Sequence, residues 1–457
     1  MDESKNPAGN SQPAMQKRTR ESGAPRGHKR FSAIPPMPKD PCRELELLQD
    51  HTGPLGFLLW RTISDILLWI RCPADLRGEL FRPARENQSE GLAFAALAAP
   101  EIRDPLRALL TVASFPELAK SDAVADACTA VALWAEAQEM KETAVQFAEA
   151  AARSEPDISA RAYTAGRLCR RLGDHQRSAV WFRRAMRLAR RAQSEGVKFS
   201  EVDFANANRG YGFLLADLGR FNEAEPHFWK SAKAALRAGR KSLAGAAYHD
   251  LLLVAVHLER WTEALEHAQQ AVELYKDGHP RFPLLGFDIA YMWSARGYYS
   301  SALPIFEKIL PWVEHQRERI LVLASVARSA AAVRDHIRYS RTAREVLALA
   351  AVDTEMAASS LYHIAEGARC FQDWKQAQLL ATRAFDLATA RKNATVVELA
   401  GHLLNCLERR QPGDVDVVPE QDDIVDVTRE IFLRKLRKQP APEFLSGAVP
   451  PEQYPTT

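Results

Sequence analysis

Hydrophobic residues recur every three or four positions through most of the chain between residues 121 and 410, and strand-like alternation is missing from that stretch. Alanine, leucine, arginine and glutamate dominate it, and all four favour helices. Short breaks such as LGD, LGR and ARGY separate the helical runs at regular intervals. Because evenly spaced helices and breaks indicate an internal repeat, the pattern predicts an all-α array of helical hairpins.

A fixed spacing between two packing positions supports the repeat. In each copy, a residue on the first helix is followed sixteen positions later by a packing residue on the second helix. A small residue at the first position lets the two helices approach, and a ring at the second fills the space toward the next hairpin. Five clear copies and then two poorer ones are Gly166–Phe182, Gly212–Phe228, Leu252–Ala268, Ala290–Phe306, Ala365–Ala381, Val131–Phe147 and Ala327–Ala343.

This spacing resembles the tetratricopeptide repeat, whose pattern has a small residue at position 8, alanine near 20, an aromatic at 24 and alanine at 27, with a period of about 34. The third copy matches best, with Gly212, Gly219, Ala224 and Phe228. Counted in chain order from Val131 to Ala290, the first positions of the pairs are 35, 46, 40 and 38 residues apart. These hairpins are therefore longer than those of the family. The resemblance implies an all-α, right-handed α-solenoid of about seven hairpins with a helical N-terminal cap.

Composition divides the chain into four segments. Residues 1–41 are rich in Ser, Pro, Gly, Lys and Arg and predict a disordered basic tail. We expect a helical cap or subdomain over 42–120, the solenoid over 121–410, and an acidic linker, a short amphipathic helix and a Pro-rich tail over 411–457. Residues 396–407 and the helix at 421–438 are expected to close the C-terminal end of the array.

Net charge limits the classes of partner that the chain can bind, and cysteine usage indicates its cellular compartment. The formal net charge of +3 argues against electrostatic capture of nucleic acid by the whole molecule. Nucleic acid remains possible only through the basic tail at 17–30 or the Arg-rich helix at 183–191, and ordinary solvated surface is the alternative for both. Six scattered cysteines form no CxxC pair, which suits a reducing compartment and predicts a cytoplasmic protein.

One apolar stretch, LGFLLWRTISDILLWI at residues 55–70, is relevant to membranes. It is shorter than the roughly 20 apolar residues that a membrane span needs, and it contains Arg61 and Asp65. We therefore predict no membrane span. A buried helix that caps the core is the favoured interpretation, and a partner-binding or membrane-surface helix is the alternative.

The resemblance also implies that the first helices line a concave groove. Arginine pairs with carboxylates, asparagine bonds to peptide groups, and aromatic rings give rigid contact area, so these residue types suit an extended peptide. Solvated surface with ordinary packing is the alternative for each residue. By position, the candidate groove residues are Tyr163, Arg167, Arg170, Asn206, Arg209, Phe213, His249, Tyr291, Tyr362 and Glu366, with Phe287 and Arg369 beside them.

Catalytic signals are weak. Asp250 follows His249 directly, and because adjacent helical residues do not share a face, we predict no dyad. The DDxxD sequence that starts at Asp422 resembles the magnesium-diphosphate motif of isoprenoid synthases, but it opens a short terminal helix, where acidic residues suit the helix dipole. We therefore expect no enzyme activity, no cofactor and no metal.

These patterns favour a scaffold that binds a protein or peptide partner in the concave groove. The alternative is a partner-sensing regulator, transcriptional or signalling, with residues 42–120 as its output. An enzyme is the third possibility.

Overall fold

A computed structural model describes residues 50, 53–81, 99–197, 200–276, 279–313, 316–351, 356–391, 393–414, 416 and 423–438. The predicted disordered tail at 1–41 and the Pro-rich end after residue 438 lie outside these ranges. Within them the regular structure is helical, and no residue is in a β-strand. The predicted all-α class is confirmed.

The helices form a short N-terminal group followed by seven hairpins. The N-terminal group is α1 (Pro54–Arg71), a 3₁₀ turn (Ala74–Leu76), α2 (Arg77–Leu80) and α3 (Pro100–Ser114). The hairpins are α4–α5 (Ser121–Ala137, Lys141–Ser154), α6–α7 (Ser159–Leu172, His175–Ser194), α8–α9 (Ser200–Asp217, Phe221–Arg237), α10–α11 (Lys241–His257, Trp261–Leu274), α12–α13 (Phe282–Ala295, Tyr299–Ile309), α14–α15 (Gln316–Ala332, His336–Ala350) and α16–α17 (Ala357–Cys370, Trp374–Ala390). Two helices follow, α18 (Ala394–Glu408) and α19 (Asp423–Leu436).

The sixteen-residue spacing corresponds to direct contact between the two helices of a hairpin. A Cβ atom added to Gly212 would lie 2.7 Å from Phe228 Cε1, closer than any side chain allows. Phe228 is itself buried. Since protein interiors are close-packed, only glycine permits α8 and α9 to cross at this distance.

A left-handed residue marks the turn inside every hairpin, two positions before the second helix. It is glycine at 173, 219 and 297, and Glu139, Glu259, Arg334 or Gln372 in the other four hairpins. In six hairpins the left-handed residue comes seven positions after the first residue of the predicted pair. In the first hairpin, Glu139 comes eight positions after Val131. Measured from the turn, the first copy pairs Ala132 with Ala148, one residue later than the sequence predicted. All four candidate side chains are buried, so burial periodicity alone does not fix the register.

The apolar face of α1 is buried against α3 and α5. Trp69 anchors it, because its indole Nε1 donates to the Pro116 carbonyl at 2.9 Å. Phe57 and Leu68, on the other side of α1, stay exposed. Among the helices that the structure describes, none is apolar over enough length to cross a membrane.

The C-terminal helix α19 turns back onto the middle of the array. It packs on α11, α12 and α13, rather than on the last hairpin as the sequence led us to expect. Phe432 stacks on Phe282 with 4.7 Å between ring centroids, and a Cβ atom on Gly286 would lie 2.2 Å from Phe432 Cζ. Lys435 Nζ donates to the carbonyls of Glu273 and Tyr275 at 3.1 and 3.2 Å, where the end of α11 attracts a cation.

A buried ionic cluster joins α5 to the next hairpin. Glu149 accepts from Arg153 Nη1 at 3.0 Å, Arg177 Nε at 3.0 Å and Trp181 Nε1 at 2.9 Å. Burial by itself raises the pKa of Glu149, but the two guanidinium groups outweigh it and lower the pKa to about 2. The carboxylate is therefore charged in the folded protein at neutral pH.

We predict that Glu149→Gln lowers the free energy of unfolding by about 3–5 kcal/mol, because two buried guanidinium groups lose their shared counter-charge. Urea unfolding at pH 7 measures this. Glu223→Gln, which removes an exposed partner of Arg220, should have little effect and serves as the matched control. Equal stability of the Glu149 and Glu223 variants would contradict the prediction.

The same cluster predicts a pH dependence. The folded-state pKa of Glu149 is depressed, so its contribution is present above the unfolded value of 4.5 and is lost as pH falls toward about 2. Between those limits, wild-type stability should fall more steeply with decreasing pH than that of Glu149→Gln. Parallel stability curves for the two proteins would exclude this assignment.

We predict that Phe432→Ala destabilises the protein by about 3–5 kcal/mol, since it removes a buried ring stacked on Phe282. Phe57→Ala, on the exposed side of α1, should change the stability by about 0.5 kcal/mol or less. Urea unfolding compares the two. Amide hydrogen exchange should also become faster in α12, and an unchanged exchange rate there would argue against the docking of α19.

Candidate partner-binding face on the first helices

The first helices of the hairpins carry all ten predicted groove residues. We call their shared surface the first-helix face, and it is formed by α6, α8, α10, α12, α14 and α16. Five of the ten candidates are buried, and the others are half-buried or exposed. The buried ones are Asn206, Arg209, His249, Tyr362 and Glu366.

Ion pairs connect each of the early first helices to the next one. Arg167 Nη2 on α6 donates to Glu136 Oε2 on α4 at 2.7 Å. Arg170 Nη1, one turn further along α6, donates to Asp217 Oδ2 on α8 at 2.8 Å. Neighbouring first helices are thus tied together through side chains that the sequence assigned to the groove.

Two more pairs continue this ladder, and three of their four members, Arg209, His249 and Asp250, are buried. Arg209 on α8 forms a two-pronged ion pair with Asp250 on α10, with 3.2 Å between Nη2 and Oδ1. His249 Nε2 lies 2.6 Å from Asp288 Oδ2 on α12. Adjacent residues of α10 therefore pair with opposite neighbours, His249 with α12 and Asp250 with α8. Buried charges held this way fix the spacing of the helices.

Aromatic rings lie between the rungs of the ladder. Phe213 is flanked by Arg170 and Arg209, whose guanidinium carbons are 5.2 and 5.0 Å from the ring centroid. On α12, Phe287 and Tyr291 are stacked one turn apart with centroids 6.1 Å apart. Tyr291 remains 43% exposed. These rings are held in place by their neighbours and still present surface to a partner.

A second cluster forms where the chain returns after α18. Asp414 accepts from the Tyr299 hydroxyl at 2.7 Å, from Arg328 Nη2 at 2.8 Å and from Arg369 Nη2 at 3.4 Å. Burial raises the pKa of Asp414, but Arg328, Tyr299 and Arg369 outweigh it, so the pKa is lowered. Glu366 also pairs with Arg369, at 2.6 Å. Asp414 therefore accepts hydrogen bonds from three successive hairpins, through Tyr299 on the fifth, Arg328 on the sixth and Arg369 on the seventh.

A small pocket opens beside this cluster, between α12, α14 and α16. Its volume is about 40 Å³. Ser294, Arg328 and His363 belong to its lining, and within the described ranges Ser294 Oγ, Arg328 Nε and His363 Nδ1 have no hydrogen-bond partner. Tyr291, Ser325 and Ser329 complete the polar lining.

The sequence interpretation missed Arg328, His363 and Asp414. Arg328 follows Ala327 directly, as Arg167 follows Gly166, so the phase of the poorest copy carried the signal. Asp414 gave no such signal, because it lies in an acidic linker far along the chain from its partners.

The Arg-rich helix at 183–191 makes contacts within the protein. Arg183 Nη2 donates to the Tyr211 hydroxyl at 3.1 Å, and the Arg190 guanidinium lies 5.5 Å from the centre of the Phe204 ring. Trp181 and Phe182 on the same helix are buried, as the pairing of Phe182 with Gly166 predicted for the latter. In the part of the chain that the structure describes, no three His, Cys, Asp or Glu side chains converge to hold a metal ion.

Comparisons with known proteins address the fold. A search of curated protein sequences found no match. Among solved structures, PilF of Pseudomonas aeruginosa is similar at 15% identity over 51% of this chain and 95% of its own, with a TM-score of 0.40. Aspartyl phosphate phosphatase F of Bacillus subtilis is similar at 11% identity over 81% of this chain and 99% of its own, with a TM-score of 0.43.

The family comparison concerns the best-matching copies. A model of the tetratricopeptide repeat matches residues 203–277, a range that runs from α8 to the end of α11. It includes Gly212 and Phe228, the pair with the closest helix contact. The predicted resemblance is thus confirmed: residues 203–277 match the tetratricopeptide repeat, and they lie within an array of stacked helical hairpins.

Proposed function

We propose that the chain is a protein-interaction scaffold that binds an extended peptide segment of a partner along the first-helix face. The observation that carries this proposal is Tyr291, a ring that stacks on Phe287 and yet remains 43% exposed. Tyrosine is enriched among the residues that dominate binding energy, because it offers a large area at a small entropy cost.

The fixed geometry of the face supports the proposal. Ion pairs such as Arg170–Asp217 and Arg209–Asp250 hold consecutive first helices in place before any partner arrives. A preformed surface loses little conformational entropy on binding, so more of the contact energy appears as affinity. Repeat arrays of this kind also present long continuous surfaces that suit an extended chain.

The second helices offer a rival surface with a weaker case. Ile337 on α15 and Leu379 on α17 are 84% and 68% exposed. They are single apolar side chains on separate helices, and scattered exposed residues of this kind are normal on protein surfaces. They therefore serve better as controls than as a binding site.

We predict that Tyr291→Ala weakens peptide binding at least tenfold, equivalent to about 1.4 kcal/mol, because it removes the exposed ring of the face. Peptides are first selected on the full chain from a phage-displayed random twelve-residue library. Fluorescence anisotropy of a labelled selected peptide then gives the dissociation constant for wild type, Tyr291→Ala and Ile337→Ala.

Ile337→Ala should bind like wild type, and thermal unfolding should show that both variants remain folded, since both side chains are exposed. Selection of no peptide, or equal binding by Tyr291→Ala and wild type, would overturn the proposal. Loss of binding in Ile337→Ala alone would move the site to the second helices.

A further inference from the structure

The pocket between α12, α14 and α16 lies next to the exposed ring of the first-helix face. Tyr291 itself forms part of its lining. The other polar lining side chains come from α12 (Ser294), α14 (Ser325, Arg328, Ser329) and α16 (His363). A peptide that contacts Tyr291 therefore lies against one residue of the pocket lining.

Three side chains that line this pocket each carry a buried polar atom without a hydrogen-bond partner in the described part of the chain. Ser294 and His363 are at least nine-tenths buried, and their Oγ and Nδ1 atoms make no hydrogen bond. Arg328 Nε is likewise unused, because the ion pair with Asp414 goes through Nη2. Buried polar groups are nearly always satisfied, so a polar group that enters this pocket finds unused hydrogen-bonding capacity on three side chains.

The size of the pocket limits what can fill it. A water molecule needs roughly 10–15 Å³ of cavity volume. The pocket volume of about 40 Å³ therefore holds about three water-sized groups. A terminal carboxamide has three non-hydrogen atoms, namely one carbon, one oxygen and one nitrogen. A backbone amide carries a Cα atom on each side and does not fit the same space.

We propose that this pocket binds the side-chain carboxamide of an asparagine or glutamine in the peptide held along the first-helix face. The amide oxygen accepts from Arg328 Nε, and the amide NH₂ group donates to His363 Nδ1 and Ser294 Oγ. All three unused atoms then gain partners, which neither a hydroxyl nor an apolar side chain achieves. This inference rests on the proposed function, since the carboxamide must arrive on a bound peptide.

The charges around the pocket favour a neutral group over a carboxylate. Arg328 already interacts with two carboxylates, Glu366 and Asp414. A third would lose its hydration next to like charges. Burial, aided by the nearby Arg328 cation, lowers the pKa of His363 to about 3, so its ring is neutral and accepts a hydrogen bond.

The test compares selections from the same random library on wild type, Ser294→Ala and Ile337→Ala. Asparagine or glutamine should be enriched at one position on wild type and Ile337→Ala, and the enrichment should disappear on Ser294→Ala. In a selected peptide, changing that residue to alanine should weaken binding about tenfold on wild type and less than threefold on Ser294→Ala. Ser294→Ala removes an unsatisfied hydroxyl, so it is expected to fold normally.

The outcomes separate this inference from the proposed function. Peptides that depend on Tyr291 but show no Asn or Gln preference would leave the scaffold intact and overturn the carboxamide site. Preference for Asp or Glu at that position would also overturn it, in favour of a carboxylate site. If no peptide is selected at all, both proposals fail together.

Discussion

A helical hairpin cannot bury its apolar face alone, and the whole molecule depends on this constraint. The close crossing of α8 and α9 at Gly212 and Phe228 shows how one hairpin is assembled, and its outer faces are then covered by the hairpins on either side. At the N-terminal side, α1 and α3 cover the first hairpin. The remaining apolar surface, around Phe282, is covered by α19. In the described chain, the position of each of these helices thus follows from the apolar surface that it buries on its neighbour.

Electrostatics act on a different surface from this packing. Polar side-chain pairs, from Arg167–Glu136 to His249–Asp288, run from one first helix to the next. Burial makes such pairs expensive to break one side at a time, so they fix helix spacing more than they add net stability. The rings of Phe213 and Tyr291 are then held between charged neighbours or on other rings. This division of labour leaves the first-helix face both rigid and partly open.

The sequence predicted the local features well, because they depend on short spacings. Helix content, seven hairpins and the Gly212–Phe228 contact all follow from periodicity within about 40 residues. The sequence was a poorer guide to burial and to contacts between distant parts of the chain, because both depend on the tertiary structure. Arg209 and His249 look like groove residues by position, but their partners on the next first helix bury them. The pair Arg328–Asp414 joins residues 86 positions apart, and the contact of Lys435 with Val272 spans 163, so no local pattern encodes them.

The C-terminal segment, which contains Asp414 and α19, packs back on earlier hairpins and thereby constrains the length of the array. In an open solenoid, hairpins can be gained or lost in evolution, since each contacts only its neighbours. Here Asp414 accepts from Arg369 Nη2 on the seventh hairpin at 3.4 Å, and Lys435 reaches the end of α11 on the fourth, so the C-terminal segment is anchored at both hairpins. An inserted hairpin between them would move these anchors apart by a full repeat. A change in the number of hairpins between these anchors would therefore require a change in the length of the C-terminal segment.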